Sequence, residues 1–164
     1  NPMEREALLY INFSLYNFQR EAIQNYFRIK NCDWVTLYDD YKELEDGAAE
    51  TPRTHEEFLN DLASHDFTFA PEGNGLDTYR LWQSIYTGSI PIYFANEVNH
   101  VAYAKSFQGL PVLYCADLTE VNEERLRFVL DDVSKGNVEF RVEKAKLSYW
   151  KDRIAKAAEK HLNG

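Results

Sequence analysis

Cysteine is scarce in this chain: Cys32 and Cys115 stand far apart and form no C-x-x-C pair. That excludes a disulfide framework or a cysteine-based zinc site, and both residues, lying beside apolar runs, are expected to fill core space. Positive charge is also short. Lys and Arg number 18 against 27 Asp and Glu, for a net charge of −9 and a pI near 4.9. A general nucleic-acid or anionic-membrane surface is therefore not expected. No apolar run approaches the roughly 18 residues of a membrane span, and no leader segment is recognisable, so the expectation is a cytoplasmic protein. His55, His65, His100 and His161 show no metal-ligand spacing and read as solvated or loosely packed; no metal is expected. G-x-S-x-G, G-x-x-x-x-G-K-[ST] and G-x-G-x-x-G are all missing.

What remains is a well-provisioned core. Apolar residues make up 45% and aromatics 15% of 164 residues, enough for one globular domain over 1–164. Strands are expected at 8–13, 34–37, 67–70, 90–94 and 111–114. Helices are expected at 19–30, 54–64, 78–87 and 118–133, with a short one between 96 and 110 and a long one at 142–162. Thr54 followed by Glu57 is a capping box. The acidic stretch 41–53 reads as an exposed loop, and Asp39–Asp40 as a solvated turn rather than a metal-binding pair. Strands alternating with helices, and too apolar for one wet face, predict a three-layer, Rossmann-like α/β domain with a mainly parallel sheet of about five strands.

The segment 67–94, FTFAPEGNGLDTYRLWQSIYTGSIPIYF, carries the clearest functional signal. It runs apolar strand, glycine-punctuated loop, amphipathic helix and apolar strand, the layout of a βαβ crossover whose loop can hold an anion. Gly73 and Gly75 are expected to supply positive φ and an open approach to the backbone. Asp77 is the expected N-cap, and Gly88 the residue that ends the helix. Arg80 then falls in the first helical turn, where the macrodipole disfavours a cation unless an anion joins it. Asn12, Ser14 and Arg20, near the carboxyl end of the first strand, are weaker candidates for the same edge.

The run at 71–93, PEGNGLDTYRLWQSIYTGSIPIY, resembles the nucleotide-sugar-binding motif of exostosin-like and fucosyltransferase-like glycosyltransferases of the GT-B fold. Asn12–Phe13–Ser14, Asp33–Trp34–Val35–Thr36 and Ser148–Tyr149–Trp150 follow the order of flanking pieces in glycosyltransferase-like proteins, so the resemblance covers most of the chain. It implies a donor-binding, carboxyl-terminal half of a GT-B enzyme. The substrate would be a nucleoside diphosphate sugar, with no cofactor or metal required, and the acceptor would be a glycan or other molecule held by a second domain absent from this chain. By the same resemblance Glu72 is the loop glutamate, Arg80 the basic residue near the donor diphosphate, and Gly73, Asn74, Gly75, Asp77 and Thr78 line the helix entry. Gln83 stands where many relatives have glutamate, and Tyr79 where fucosyltransferases tend to have glutamate. No catalytic residue is identified. The alternatives are a non-catalytic glycosyltransferase-like interaction or scaffold domain, or a binder of another phosphorylated metabolite.

Overall fold

A computed structural model of the protein describes residues 7–15, 17–38, 54–95 and 98–162. The Asp39–Asp40 pair and the acidic stretch 41–53 lie outside the described residues, as do the side chains of His100 and His161. In chain order the elements are β1 Ala7–Ile11, α1 Phe18–Lys30, β2 Val35–Leu37, α2 His55–Ser64, β3 His65–Phe69 and α3 Tyr79–Thr87. They continue with β4 Ile90–Phe94, α4 Val98–Ala104, β5 Leu113–Cys115, α5 Glu123–Ser134 and α6 Leu147–Leu162.

The five strands form one parallel sheet in the order β2-β1-β3-β4-β5. Register sets large apolar residues side by side: Leu9 faces both Val35 and Phe67, Phe69 faces Ile92, and Ile92 faces Leu113. One sheet face packs Leu9, Ile11, Phe67, Phe69 and Ile92 against Ile23 and Phe27 of α1 and Leu126 of α5. The other packs Tyr93 with Leu81 of α3 and Phe107, while Tyr10 meets Phe58 of α2. Both faces are dry, which is why the strands read as apolar runs rather than alternating ones. The expected three-layer α/β architecture is thus the observed one. From β1 the chain crosses outward to edge strand β2, and the later strands build on the opposite side through β3, the middle strand. The carboxyl ends of β1 and β3 therefore flank the topological switch point, where doubly wound sheets leave a crevice.

Local chemistry explains most boundaries. Thr54 and Glu57 form the expected reciprocal box: Thr54 Oγ1 accepts from Glu57 N at 3.2 Å, and Glu57 Oε2 accepts from Thr54 N at 2.8 Å. Gly88 ends α3 at φ 83°. The expected single helix at 118–133 is instead a 3-10 turn, Leu118–Glu120, followed by α5. Two successive caps split it, Asp117 accepting from Thr119 N and Asn122 from Arg125 N. The tail likewise divides, with a 3-10 turn at Val142–Ala145 before α6 begins at Leu147.

His65 departs from the solvated reading. It is 3% exposed, with Nδ1 2.7 Å from the Asp61 carbonyl and Nε2 2.8 Å from Thr36 Oγ1. Because β3 starts directly at the end of α2, the imidazole satisfies a helix-end carbonyl that a loop would otherwise reach. Cys115 is buried as expected, whereas Cys32 is only partly so. Among the described residues no helix is long and apolar enough to cross a membrane.

Candidate functional site

The crevice between β1 and β3 is built around Arg20. Asn17 caps α1, its Oδ1 accepting from Arg20 N at 2.9 Å, and this sets the arginine at the helix entrance. The side chain is 5% exposed, a costly position for a guanidinium unless its donors are met. Nε donates to the Glu72 carbonyl at 2.8 Å and Nη1 to the Ser14 carbonyl at 3.2 Å. Arg20 therefore laces the loop after β1 to the loop after β3. Its guanidinium carbon also lies 5.5 Å from the centre of the Phe13 ring.

Arg80 reaches the same ring from the other element. Its guanidinium carbon is 5.9 Å from the Phe13 centroid and 5.2 Å from that of Phe58. Two cations converge on one aromatic ring, an arrangement that the ring quadrupole favours and mutual repulsion opposes. An anion between or beside them relieves that repulsion.

The loop before α3 differs from expectation in two details. Thr78, not Asp77, is the N-cap, with Oγ1 3.4 Å from Leu81 N. Asp77 instead accepts from Trp82 Nε1 at 2.9 Å, which pins the loop onto its own helix. Gly73 and Gly75 do not adopt positive φ; among the described residues the glycines that do are Gly88, Gly109 and Gly136. Gly73 N donates to the Gly75 carbonyl at 3.0 Å, closing a tight turn without a left-handed residue. A Cβ built on Gly75 would meet nothing within 4 Å, so this glycine leaves space open rather than relieving a clash.

These parts enclose a cavity of about 330 Å³. Its lining comes from the loop (Gly73, Asn74, Gly75, Asp77), from α3 and its cap (Thr78, Tyr79, Arg80, Gln83), and from Arg20 of α1. Of the candidates, Glu72 and Ser14 contribute carbonyls to Arg20 rather than lining. Asn12 turns the other way: 4% exposed, it donates from Nδ2 to Tyr10 Oη at 2.9 Å, and that hydroxyl donates to Asp61 Oδ2 at 2.7 Å. A buried amide and a buried phenol satisfy each other there, so Asn12 serves the packing of α2.

Sequence reasoning missed Phe13 as the platform for both arginines. It also passed over Tyr79, which lines the cavity while 89% exposed. An aromatic closing a strand just ahead of a helix-entrance arginine was the available signal for Phe13. Glu72 and Asp77 temper the positive charge. Burial, assisted by these two carboxylates, pushes the Tyr93 hydroxyl up to about 12, and burial with Asp77 raises Tyr103 as well. Both phenols remain protonated donors at neutral pH. Among the described residues there is no group of three or more His, Cys, Asp or Glu able to hold a metal. Comparison of the chain with models of known protein families and with curated proteins returns no match.

Proposed function

We propose that this cavity binds the diphosphate of a nucleoside diphosphate sugar, and that the chain is the donor-binding half of a GT-B-type glycosyltransferase. One observation carries the reading: Arg80, Arg20 and the amino-terminal turn of α3 share a single cavity at the switch point of a parallel sheet. In sugar transfer the anomeric carbon–oxygen bond to the diphosphate breaks as an acceptor oxygen bonds to that carbon. Negative charge then grows on the leaving diphosphate. Fixed cations and helix N–H groups oppose that charge without reorganising, so the site does not call for a metal. The acceptor, and the base that takes its proton, belong in this reading to a second domain.

The cavity's size favours one rival. About 330 Å³ lies at the low end for ligand sites, enough for a diphosphate but not for a whole nucleotide sugar. A compact phosphorylated metabolite would fill it alone, whereas a nucleotide sugar would lay its base and sugar beyond the rim. Calorimetric titration of the chain with UDP, GDP, their sugar conjugates and simple sugar phosphates separates the two. Saturable binding of a nucleoside diphosphate, strengthened by the sugar, supports the donor-site reading. Preference for a sugar phosphate favours the rival, and no binding of either at millimolar concentration overturns both.

A further inference from the structure

The carboxyl-terminal helix is anchored at its root and uncovered along its length. Trp150 Nε1 donates to the Lys144 carbonyl at 2.8 Å, the buried Lys144 ammonium donates to the Gln108 carbonyl, and Tyr86 Oη donates to the Ala145 carbonyl at 2.7 Å. These bonds fix the 3-10 turn and the start of α6 to the body. From 151 to 159 every residue is exposed. Leu147, Trp150, Ile154 and Ala157 nevertheless recur at alternating spacings of three and four, the seam of a helix that pairs with another helix. Leu147 and Ile154 are 67% and 69% exposed, so the described chain leaves the seam open on both sides of the half-buried Trp150.

Charge around the seam states what kind of helix fits. Lys151 lies on one side of Ile154 and Arg153 on the other, by the helical period. Asp152 and Glu159 fall on the opposite face. Arg153 is further held near the seam, 6.0 Å from the ring centres of both Tyr149 and Trp150. Between Arg141 and Glu159 bases outnumber acids two to one, in a chain whose net charge is −9. A second copy of α6 would set cation against cation at both flanks, which disfavours self-pairing. An anionic bilayer would meet the basic flanks but also the acidic body behind them.

We propose that the exposed seam of α6 is a docking surface for a helix of another protein chain whose own apolar seam is flanked by acidic residues. The surface is independent of the ligand assigned to the cavity. Two synthetic amphipathic peptides sharing one leucine seam, one flanked by glutamate and the other by lysine, are titrated into the full chain by calorimetry. The expected result is binding of the glutamate-flanked peptide at least about tenfold tighter than of the other. The Ile154→Asp variant alters an exposed position and is expected to keep the wild-type melting profile while abolishing binding. The double variant Lys151→Glu with Arg153→Glu is expected to invert the preference. Equal binding of the two peptides, or binding of neither, overturns the proposal. So does a dimer seen by light scattering and abolished by Ile154→Asp, or tighter binding to phosphatidylserine vesicles than to the acidic peptide.

Discussion

Arg20 Nε donates to the Glu72 carbonyl at 2.8 Å, and this bond joins the two loops that form the mouth of the crevice. The donor opens the helix after β1, and the acceptor belongs to the loop after β3. Its geometry needs a fork, because the same guanidinium also serves the Ser14 carbonyl. Removing it leaves two carbonyls short of a donor. Arg20→Ala is expected to cost about 2–3 kcal/mol of folding stability, and Arg20→Lys roughly half of that. Urea denaturation with an unchanged slope measures both. Wild-type midpoints in the two variants would show that the lacing contributes nothing.

Arg80 separates binding from stability. Arg80→Ala is expected to weaken nucleoside diphosphate binding about tenfold or more, through loss of a charge-assisted contact. The same change forfeits the contacts with Phe13 and Phe58 while removing a cation from a helix entrance. Those effects oppose each other, so stability is expected to move by less than about 1 kcal/mol. Calorimetry and thermal melting, run on the same preparations, check the pair. Undiminished nucleotide affinity in the variant would place the ligand elsewhere.

Gly75 offers a quieter probe. A methyl group there has no neighbour to displace and no left-handed φ to strain. Gly75→Ala is therefore expected to leave the melting temperature unchanged or slightly raised, since the unfolded chain loses freedom. If ligand phosphates approach this backbone, affinity falls in the same variant. A stability loss would contradict the open space described around it.

Alkaline pH tests the packing around β4 and β5. Burial pushes Tyr93 and Tyr114 up from 10.0 to about 12, and Cys115 up from 9.0 to about 12. These are acids whose folded values are raised, so the unfolded chain ionises first. Their stabilising contribution is complete below the unfolded values and disappears as pH rises through the folded ones. Stability is expected to decline from about pH 9 towards pH 12, with phenol ionisation followed by ultraviolet absorbance. Tyr93→Phe is expected to flatten part of that decline. Loss, in Tyr93→Phe, of an absorbance change near pH 10 rather than near pH 12 would refute the burial described here.

The strands and most helices were legible because burial on both faces writes itself as apolar runs, and because Thr54, Glu57 and Gly88 carry fixed conformational preferences. The loop before α3 was legible as a place but not as a geometry. Asp77 and Thr78 are both good caps, and the choice between them follows from Trp82, whose indole draws Asp77 away. The fate of Asn12 was hidden for a similar reason: its amide donates to Tyr10 on the same strand face, and that hydroxyl is held by Asp61 from a distant helix. Arg20 was read as a weak candidate because nothing local shows that carbonyls from two distant loops converge on it. The split of the 118–133 segment was visible in principle, since Asp117 and Asn122 are two cap residues in a row.

The position of β1 has a consequence for how the chain is made. It precedes the other described strands in the chain and lies inside the sheet, flanked by β2 and β3. Its pairing along Ala7–His65 and Leu9–Phe67 cannot begin until the chain has been synthesised through β3. Until then an apolar segment waits with one edge open to other chains, and closing so long a loop is slow. Vectorial synthesis therefore leaves this segment open to aggregation and relieves it in one step, when β3 arrives.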